Sequence, residues 1–295
     1  MRILSGMTGF ARVAGEAEWG SWAWEAKSVN GRGLDVRVNY PPGFEALDRA
    51  IKSAAPKYFQ RGSLQVALRI DLASGADTAA VNAVLLDALA SAVEKRTGTP
   101  LSGEVFASLM NVKGVVEAGA SNLRDIGSDE AVVSLLAKAG EEALQALQAE
   151  RRREGSVLAE LLEGLVAGME DLREKAGALA ETQPALLKER LTRQLDELDP
   201  DGRVDKERMA AEIALSAAKA DVREELDRLS AHFVSARELL AGGSPVGRKL
   251  DFLAQELNRE ANTLCSKSVS LDLTNAGLGL KGLIDQFKEQ AANVE

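Results

Sequence analysis

The spacing of apolar residues changes along this chain, and that change limits the folds it can adopt. In the first seventy residues, apolar and polar side chains alternate in three segments, which is the pattern of strands with one buried face. These segments are residues 22–29, 34–39 and 64–70. Between the second and third segments, residues 44–54 have apolar side chains at helical spacing, and Gly31 to Gly33 predicts a turn. We therefore expect an α+β region at the N-terminus.

From about Val81 onward the apolar side chains recur at the helical period of 3.6 residues. The predicted helices cover 84–92, a long region from Asp129 whose second part is 156–182, 226–240, a segment from about Val246, and 274–293 with Thr274 as its cap. Breaks are predicted at the glycine-containing passage 114–127, at Pro184 and at the turn 199–202. Most of the chain after residue 81 is therefore expected to be helical.

The composition supports the same division. Aromatic residues make up only 4% of the 295 residues, and Ala and Leu supply most of the apolar side chains, which favours helices over a β-sandwich. We predict an α+β fold in which an N-terminal antiparallel or mixed sheet with helices, over residues 1–150, is followed by a mainly α-helical domain. That second domain, over 151–295, is predicted to contain long helices.

The small number of sulfur and imidazole side chains restricts the chemistry. With one cysteine, Cys265, and one histidine, His232, the chain cannot form an internal disulfide or a multi-cysteine zinc site. The first residues do not resemble a secretory signal, and no apolar run is long enough to span a bilayer, so we expect a cytoplasmic protein with no membrane partner. Chemistry at a metal or a proton must therefore use mainly carboxylates, amides, Lys or Arg.

Positive charge is concentrated near the N-terminus of this acidic chain. The formal net charge is −9, yet residues 1–75 contain ten Lys and Arg against seven Asp and Glu. Any polyanion should therefore contact this region first. The candidate phosphate contacts are Arg12, Lys27, Asn30, Arg32 and Arg37. Trp19, Trp22 and Trp24 could stack on unpaired bases, although such residues more often pack in cores, and we expect Trp22 or Trp24 to do so.

Residues 251–267 have the most informative pattern in the chain. In a helix, the packed face is predicted to contain Phe252, Leu253, Leu257, Ala261 and Leu264. Glu256 and Glu260 then lie one turn apart on a polar stripe and repel each other unless a cation lies between them. That cation can be an arginine, or a divalent ion such as Mg²⁺ or Mn²⁺. Spacing alone is more typical of the alternative, a solvated face joined by salt bridges.

Three other features have a functional and a structural interpretation. His232 shares a helix face with Glu225 and Arg228, and it is either a metal ligand or proton carrier, or a hydrogen-bonded boundary residue. A nucleophilic pair of Cys265 and His232 is disfavoured, because Cys265 follows Leu264 towards the packed side. The run 151–153, three arginines followed by Glu154, is expected to be a solvated helix face.

Taken together, several motifs resemble the bacterial YicC family. They are SGMTGFAR at 5–12, WEAKSVNGRGLD at 24–35, RRREG at 151–155, EELDRLSAH at 224–232 and GRKLDFLAQELNREANTLCSK at 247–267. The resemblance covers almost the whole chain and is most specific in the last motif. Two departures are Gly33, where an aromatic residue is usual, and Ser63, where a basic residue is usual. They remove a possible stacking group and put one phosphate contact in doubt.

The resemblance implies an endoribonuclease that depends on a divalent cation, often manganese, and acts on single-stranded or structured RNA. It also implies assembly into a ring-like homohexamer. RNA, further copies of the chain and other RNA-decay proteins are the expected partners. The rival interpretation is a non-catalytic oligomeric RNA-binding scaffold or adaptor that recruits a separate ribonuclease.

On the enzyme interpretation, two carboxylates and the single histidine have a common role. We expect Glu256, Glu260 and His232 to hold Mn²⁺ or Mg²⁺, and Lys267 to join them as a catalytic residue. Arg228, Arg259 and Asn262 are expected to bind RNA together with the N-terminal residues. The ion would neutralise developing charge on the scissile phosphate and lower the pKa of a bound water.

Overall fold

The computed structural model describes residues 3–72, 80–117, 120–198 and 205–295. The chain forms two compact units. The N-terminal unit is Thr8–Glu150, and the C-terminal unit is Arg151–Glu295 together with the described residues up to Met7. The predicted fold class is confirmed, because a sheet with helices is followed by a mainly helical region with long helices.

The N-terminal unit is built around a four-stranded mixed sheet. Its strands are β1 (Gly9–Ala17), β2 (Gly20–Val29), β3 (Leu34–Asn39) and β4 (Gly62–Leu72). They lie in the order β1-β2-β4-β3, in which β3 runs parallel to β4 and the other neighbours are antiparallel. The last three strands confirm the predicted alternation. β1 was not predicted as a strand, although its side chains also alternate between partly buried and exposed positions.

One face of the sheet is covered by helix α1 (Glu45–Ala54) and by the first part of α5 (Glu130–Ala180). Trp24 is fully buried there, and its indole Nε1 donates a hydrogen bond to the Leu136 carbonyl at 2.9 Å. This confirms that Trp22 or Trp24 packs in the core. Trp19 and Trp22 are partly buried against the same cluster. The tryptophans therefore serve mainly to pack the covered face of the sheet.

The rest of the N-terminal unit consists of short elements. They are a 3₁₀ turn (Ala55–Lys57), β5 (Ala80–Val81), α2 (Ala83–Thr97), α3 (Gly103–Met110), β6 (Val116–Glu117) and α4 (Ala120–Ser128). Asn82 caps α2 by accepting a hydrogen bond from the Leu85 amide, and α2 ends at Gly98, whose φ of +69° suits glycine. The passage 114–127, which was predicted to be rich in loops, includes most of helix α4.

The C-terminal unit is a helical assembly built from the second part of α5 and five further helices. These are α6 (Gln183–Leu198), α7 (Lys206–Lys219), α8 (Arg223–Gly242), α9 (Gly247–Lys267) and α10 (Leu271–Ala291). The break near Pro184 is confirmed, and the predicted turn at 199–202 lies outside the described residues. Helix α10 begins earlier than predicted, because Ser270, not Thr274, caps it through the Leu273 amide. Among the described residues, no helix is long and apolar enough to cross a membrane.

Arg151 lies in the interior of the C-terminal unit. It is fully buried, its Nε donates to the Gly6 carbonyl at 2.6 Å, and its Nη2 lies 3.3 Å from Glu295 Oε2. Burial lowers the pKa of the Arg151 guanidinium even though the Glu295 charge acts in the opposite direction. The prediction of a solvated face over 151–153 is therefore wrong for Arg151, although Arg152 and Arg153 are exposed. The partners of Arg151 are far away in sequence, so its helical neighbours could not indicate them.

Candidate active site and nucleic-acid interface

Helices α8 and α9 place most of the predicted catalytic side chains in one region. Arg228 of α8 pairs with Glu260 of α9, and Glu225 of α8 pairs with Lys267 of α9. Going along α8 from Glu225 to Arg228, the partners on α9 go backwards from Lys267 to Glu260, so the two helices are antiparallel. We call this region the α8–α9 seam; its residues are Glu225, Arg228, His232, Glu256, Glu260 and Lys267.

Glu260 is the most buried of the predicted site residues. It is only 4% exposed, and its Oε1 lies 3.4 Å from Arg228 Nη1. Arg228 also lies 2.5 Å from Glu224 Oε1 on its own helix. The hydrogen bond to Glu260, followed by the charges of Glu224 and Glu260, raises the pKa of the Arg228 guanidinium. An arginine thus lies beside Glu260, and Glu260 does not lie on a solvated stripe.

A second buried carboxylate, which the sequence reasoning did not assign to the site, lies at the other end of the seam. The Glu225 side chain is 8% exposed, and its Oε1 accepts a hydrogen bond from Lys267 Nζ at 2.8 Å. The Lys267 ammonium also donates to the Asp221 carbonyl at 3.0 Å. Glu225 Oε2 is buried and has no hydrogen-bond partner within the described structure. Glu225 therefore keeps one acceptor oxygen available. Its helical spacing from Arg228 and His232 was the signal that could have identified it.

Asp221 extends the charged region just before α8. Its carboxylate is bound by Arg223, with Oδ2 2.7 Å from Nη2, and it also accepts a hydrogen bond from the Arg223 amide. These hydrogen bonds lower the pKa of Asp221 to about 2. The carboxylate is therefore ionised at neutral pH and is tied to the start of the helix.

The remaining predicted residues on these helices are more accessible. His232 and Glu256 are both half-buried. His232 lies one turn after Arg228 on α8, and Glu256 lies one turn before Glu260 on α9. Because the helices are antiparallel and Arg228 pairs with Glu260, His232 and Glu256 lie level with each other. Arg259 and Asn262 are exposed on α9, where the Asn262 amide donates to Asn258 Oδ1 at 2.8 Å. The seam therefore includes a buried ionic part and an adjacent accessible part.

Phe252 is on the solvent side of α9, contrary to the predicted packed face. It is 64% exposed, whereas Leu253 and Leu257 are buried as predicted. Together with Leu239 of α8 it lines a shallow groove of about 490 Å³ that also includes Arg248 and Lys249. Phe252 lies one turn before Glu256 on α9, so an aromatic ring and basic groups lie near the accessible end of the seam.

The donor set suits a partly hydrated cation and not a closed protein cage. Within the described ranges, no three His, Cys, Asp or Glu side chains come together in a way that could hold a metal ion. Mg²⁺ usually keeps several waters and uses one or two protein carboxylates together with substrate phosphates. Glu256 has no ion pair in the described structure, and Glu225 Oε2 is unpartnered. Since Arg228 already contacts Glu260, an ion at Glu260 would share this carboxylate with Arg228 or displace it.

Cys265 does not have the surroundings of a nucleophile. Burial raises the pKa of its thiol, which opposes formation of the thiolate at neutral pH. These surroundings agree with the position of Cys265 beside Leu264, which disfavoured a nucleophilic Cys265–His232 pair.

In the N-terminal unit, the predicted RNA-binding residues lie in two places. Arg12, Lys27 and Arg37 are exposed on β1, β2 and β3, on the sheet face opposite the core. Asn30 and Arg32 are exposed in the connection between β2 and β3. The sequence reasoning missed Phe10, which is exposed beside Lys27. The alternation of β1, which puts Phe10 and Arg12 on the same face, could have indicated it.

Comparison with known proteins covers nearly the whole chain. Residues 4–160 match the family model described as endoribonuclease YicC-like, N-terminal region, and residues 176–295 match endoribonuclease YicC-like, C-terminal. A relative from Haemophilus influenzae named "Probable endoribonuclease YicC" is 33% identical, with 99% of this chain and all of the relative aligned. A Clostridioides difficile relative of the same name is 28% identical, over 98% of this chain and 99% of its own.

Proposed function

The chain belongs to the YicC-like endoribonuclease family, and from that premise we propose that it hydrolyses phosphodiester bonds in single-stranded or structured RNA with the aid of Mn²⁺ or Mg²⁺. The observation that carries the proposal is the α8–α9 seam. Two motifs separated in sequence meet there, and the carboxylates of Glu225 and Glu260 are buried beside cations. Charged side chains held by two packed helices can orient a metal ion or bind an anionic substrate.

Glu256 and Glu260 are the proposed carboxylate ligands, with His232 as a third ligand or a proton carrier. A bound divalent ion would supply charge neutralisation at a phosphate and a more acidic water. Arg228 holds the Glu260 carboxylate in place and offers its remaining N–H groups to an RNA phosphate. Lys267 fixes Glu225 and adds positive charge to the same region. The proposed roles of these side chains are thus to orient the ligands and to bind the anionic substrate.

RNA binding is assigned to exposed groups of both units. Arg259 and Asn262 are proposed to contact phosphates or base edges beside the seam. In the N-terminal unit, Arg12, Lys27, Asn30, Arg32 and Arg37 are proposed to bind the backbone, with a salt-dependent affinity. Assembly into a homohexamer, a cytoplasmic location and contact with other RNA-decay proteins complete the proposal.

The test is cleavage of labelled RNA by protein purified through several independent steps. We expect cutting to stop in EDTA and to return with Mn²⁺, and we expect Glu256→Gln and Glu260→Gln to reduce kcat at least about 100-fold. Glu160→Gln is the matched control, because Glu160 is exposed on α5 and outside the seam. Undiminished cutting by both seam variants would overturn the proposed metal site.

The second candidate is the non-catalytic scaffold. The ion pair between Arg228 and Glu260 favours it, because a carboxylate already neutralised within the protein needs no metal ion. On this interpretation, nuclease activity should separate from the protein during purification while RNA binding remains. Activity that stays proportional to the protein through every step rejects the scaffold.

A further inference from the structure

Phe10 is an aromatic side chain on the uncovered face of the four-stranded sheet. It is 50% exposed on β1, whereas the next residue, Ala11, points into the core and is 6% exposed. Isolated exposed apolar side chains are common on protein surfaces, so a binding role for Phe10 depends on the groups that surround its ring.

The strand register aligns Phe10 with polar and basic groups on the other three strands. Phe10 is opposite Lys27 on β2, Lys27 is opposite Gln65 on β4, and Gln65 is opposite Arg37 on β3. Lys27, Gln65 and Arg37 are all exposed, so this row crosses the whole sheet on its open face. With neighbouring strands about 4.8 Å apart, the row is about 14 Å long. Arg12, two residues after Phe10, lies on the same face.

The open face carries charges of both signs: Glu25, which is opposite Arg12 in the register, lies 3.7 Å from Arg69 Nη2. Lys27 Nζ lies 5.6 Å from the centre of the Phe10 ring, and Arg12 is exposed beside it. Among the described residues, neither Lys27 nor Arg12 has an ion pair, whereas Arg37 is paired with Asp35 at 3.1 Å. Lys27 and Arg12 thus adjoin the exposed ring without an ion pair of their own, and they can bind the phosphates of an anionic strand.

We propose that this sheet face, formed by Phe10, Arg12, Lys27, Gln65 and Arg37, is a stacking platform for unpaired RNA nucleotides. A base lies on the Phe10 ring, the Lys27 ammonium moves from the ring to a flanking phosphate, and Arg12 binds the next phosphate. Aromatic rings combined with cations bind single strands in this way, and other four-stranded sheets stack two or three bases on exposed rings. The inference rests on the proposed RNA cleavage and assigns the single-stranded part of its substrate to a defined surface.

Binding of fluorescein-labelled RNA, measured by fluorescence anisotropy in EDTA to prevent cutting, tests the platform. The probes are an unstructured 12-nucleotide RNA and a duplex of the same length. Phe10→Ala is expected to raise the Kd for the single strand about 5- to 100-fold and to leave the duplex Kd nearly unchanged. Phe10→Tyr is expected to restore tight single-strand binding because it keeps the ring.

Phe106→Ala is the matched control. Phe106 is 47% exposed, close to the value for Phe10, but it lies on α3 and not on the sheet. The control is expected to bind both RNAs like the wild type. Circular dichroism and light scattering check that each variant keeps its fold and its assembly state, and Phe10→Leu replaces Phe10→Ala if the latter does not fold.

A 2-aminopurine base within the single strand gives a second readout that a merely structural role would not change. Its fluorescence is expected to be quenched by the wild type and by Phe10→Tyr, but not by Phe10→Ala. Equal Kd values and equal quenching for Phe10→Ala and the wild type would overturn the platform, as would a Phe10→Ala variant that only changes the assembly state.

The outcome for the platform is separate from the outcome for cleavage. Phe10-dependent binding by a protein that cuts nothing would support the platform and overturn the proposed enzyme activity. Cleavage by the wild type with binding that is indifferent to Phe10 would overturn the platform alone.

Discussion

The open sheet face and the α8–α9 seam both gather charged side chains, but they differ in how those charges are compensated. On the sheet, Arg12 and Lys27 are exposed and have no ion pair in the described structure. In the seam, Glu225 and Glu260 are buried, and each contacts a cation from the other helix. Exposed charges can change partners at little cost, whereas buried charges are expensive to leave unpaired. The sheet is therefore suited to binding, and the seam to holding groups in fixed positions.

The largest difference is expected in steady-state cleavage kinetics. Glu260→Gln should lower kcat at least about 100-fold with a small change in KM, because it removes a group of the proposed reaction site. Lys27→Met should instead raise KM several-fold and leave kcat nearly unchanged. The opposite split, with kcat falling for Lys27→Met and KM rising for Glu260→Gln, would contradict the division of roles.

The next effect concerns stability. Lys267→Met leaves the buried Glu225 carboxylate without its cation, and we expect it to lower the free energy of unfolding by about 2–3 kcal/mol. This expected loss is smaller than the loss for a fully buried ion pair, because the Lys267 side chain is 30% exposed. Adding Glu225→Gln to Lys267→Met should recover most of the loss. Urea unfolding measures all three proteins, and an unchanged midpoint for Lys267→Met would show that the pair is not structural.

Salt dependence gives a smaller effect on the sheet side. Each phosphate contact contributes about 0.7 to the slope of log Kd against log salt for a single strand, so Arg12→Met should reduce that slope by about 0.7. Lys175→Met, which removes an exposed lysine of α5, is the control and should leave the slope unchanged. The slope is obtained from anisotropy titrations at several salt concentrations.

The smallest effect is on the pH dependence of stability. The pKa of Asp221 is lowered from 3.8 to about 2 by Arg223, so their pairing stabilises the folded state above about pH 4. This contribution is lost as the pH falls towards 2. Since the pair is solvent-accessible, Arg223→Ala should lower the urea midpoint only slightly at pH 6. Urea midpoints of wild type and Arg223→Ala should converge as the pH is lowered from about 4 to about 2; a constant difference would exclude this titration.

The periodic parts of the fold could be predicted from sequence because their patterns are local. Alternation indicated β2, β3 and β4, and the apolar stripe over 226–240 indicated α8. Features that depend on distant partners could not be found in this way. The buried Arg151 contacts Gly6 and Glu295, and the buried Glu260 contacts Arg228 of another helix.

For the candidate site, the residue types could be predicted but their surroundings could not. The motif indicated Glu256 and Glu260 as a carboxylate pair, yet Phe252 was assigned to the packed face and is 64% exposed. A helical pattern gives neighbours along one helix, whereas the partner helix decides which stripe is covered. Phe10 was missed for a similar reason, since its proposed role in binding RNA depends on Lys27 of the adjacent strand.

The most direct test of the proposed metal-dependent seam is Mn²⁺ binding measured by electron paramagnetic resonance. The protein is titrated with Mn²⁺ in the absence of RNA, so that no cutting occurs, and the signal of free Mn²⁺ reports the bound fraction. We predict saturable binding by the wild type that Glu160→Gln retains and that the double variant Glu256→Gln/Glu260→Gln loses. Equal Mn²⁺ binding by the double variant and the wild type would contradict the account.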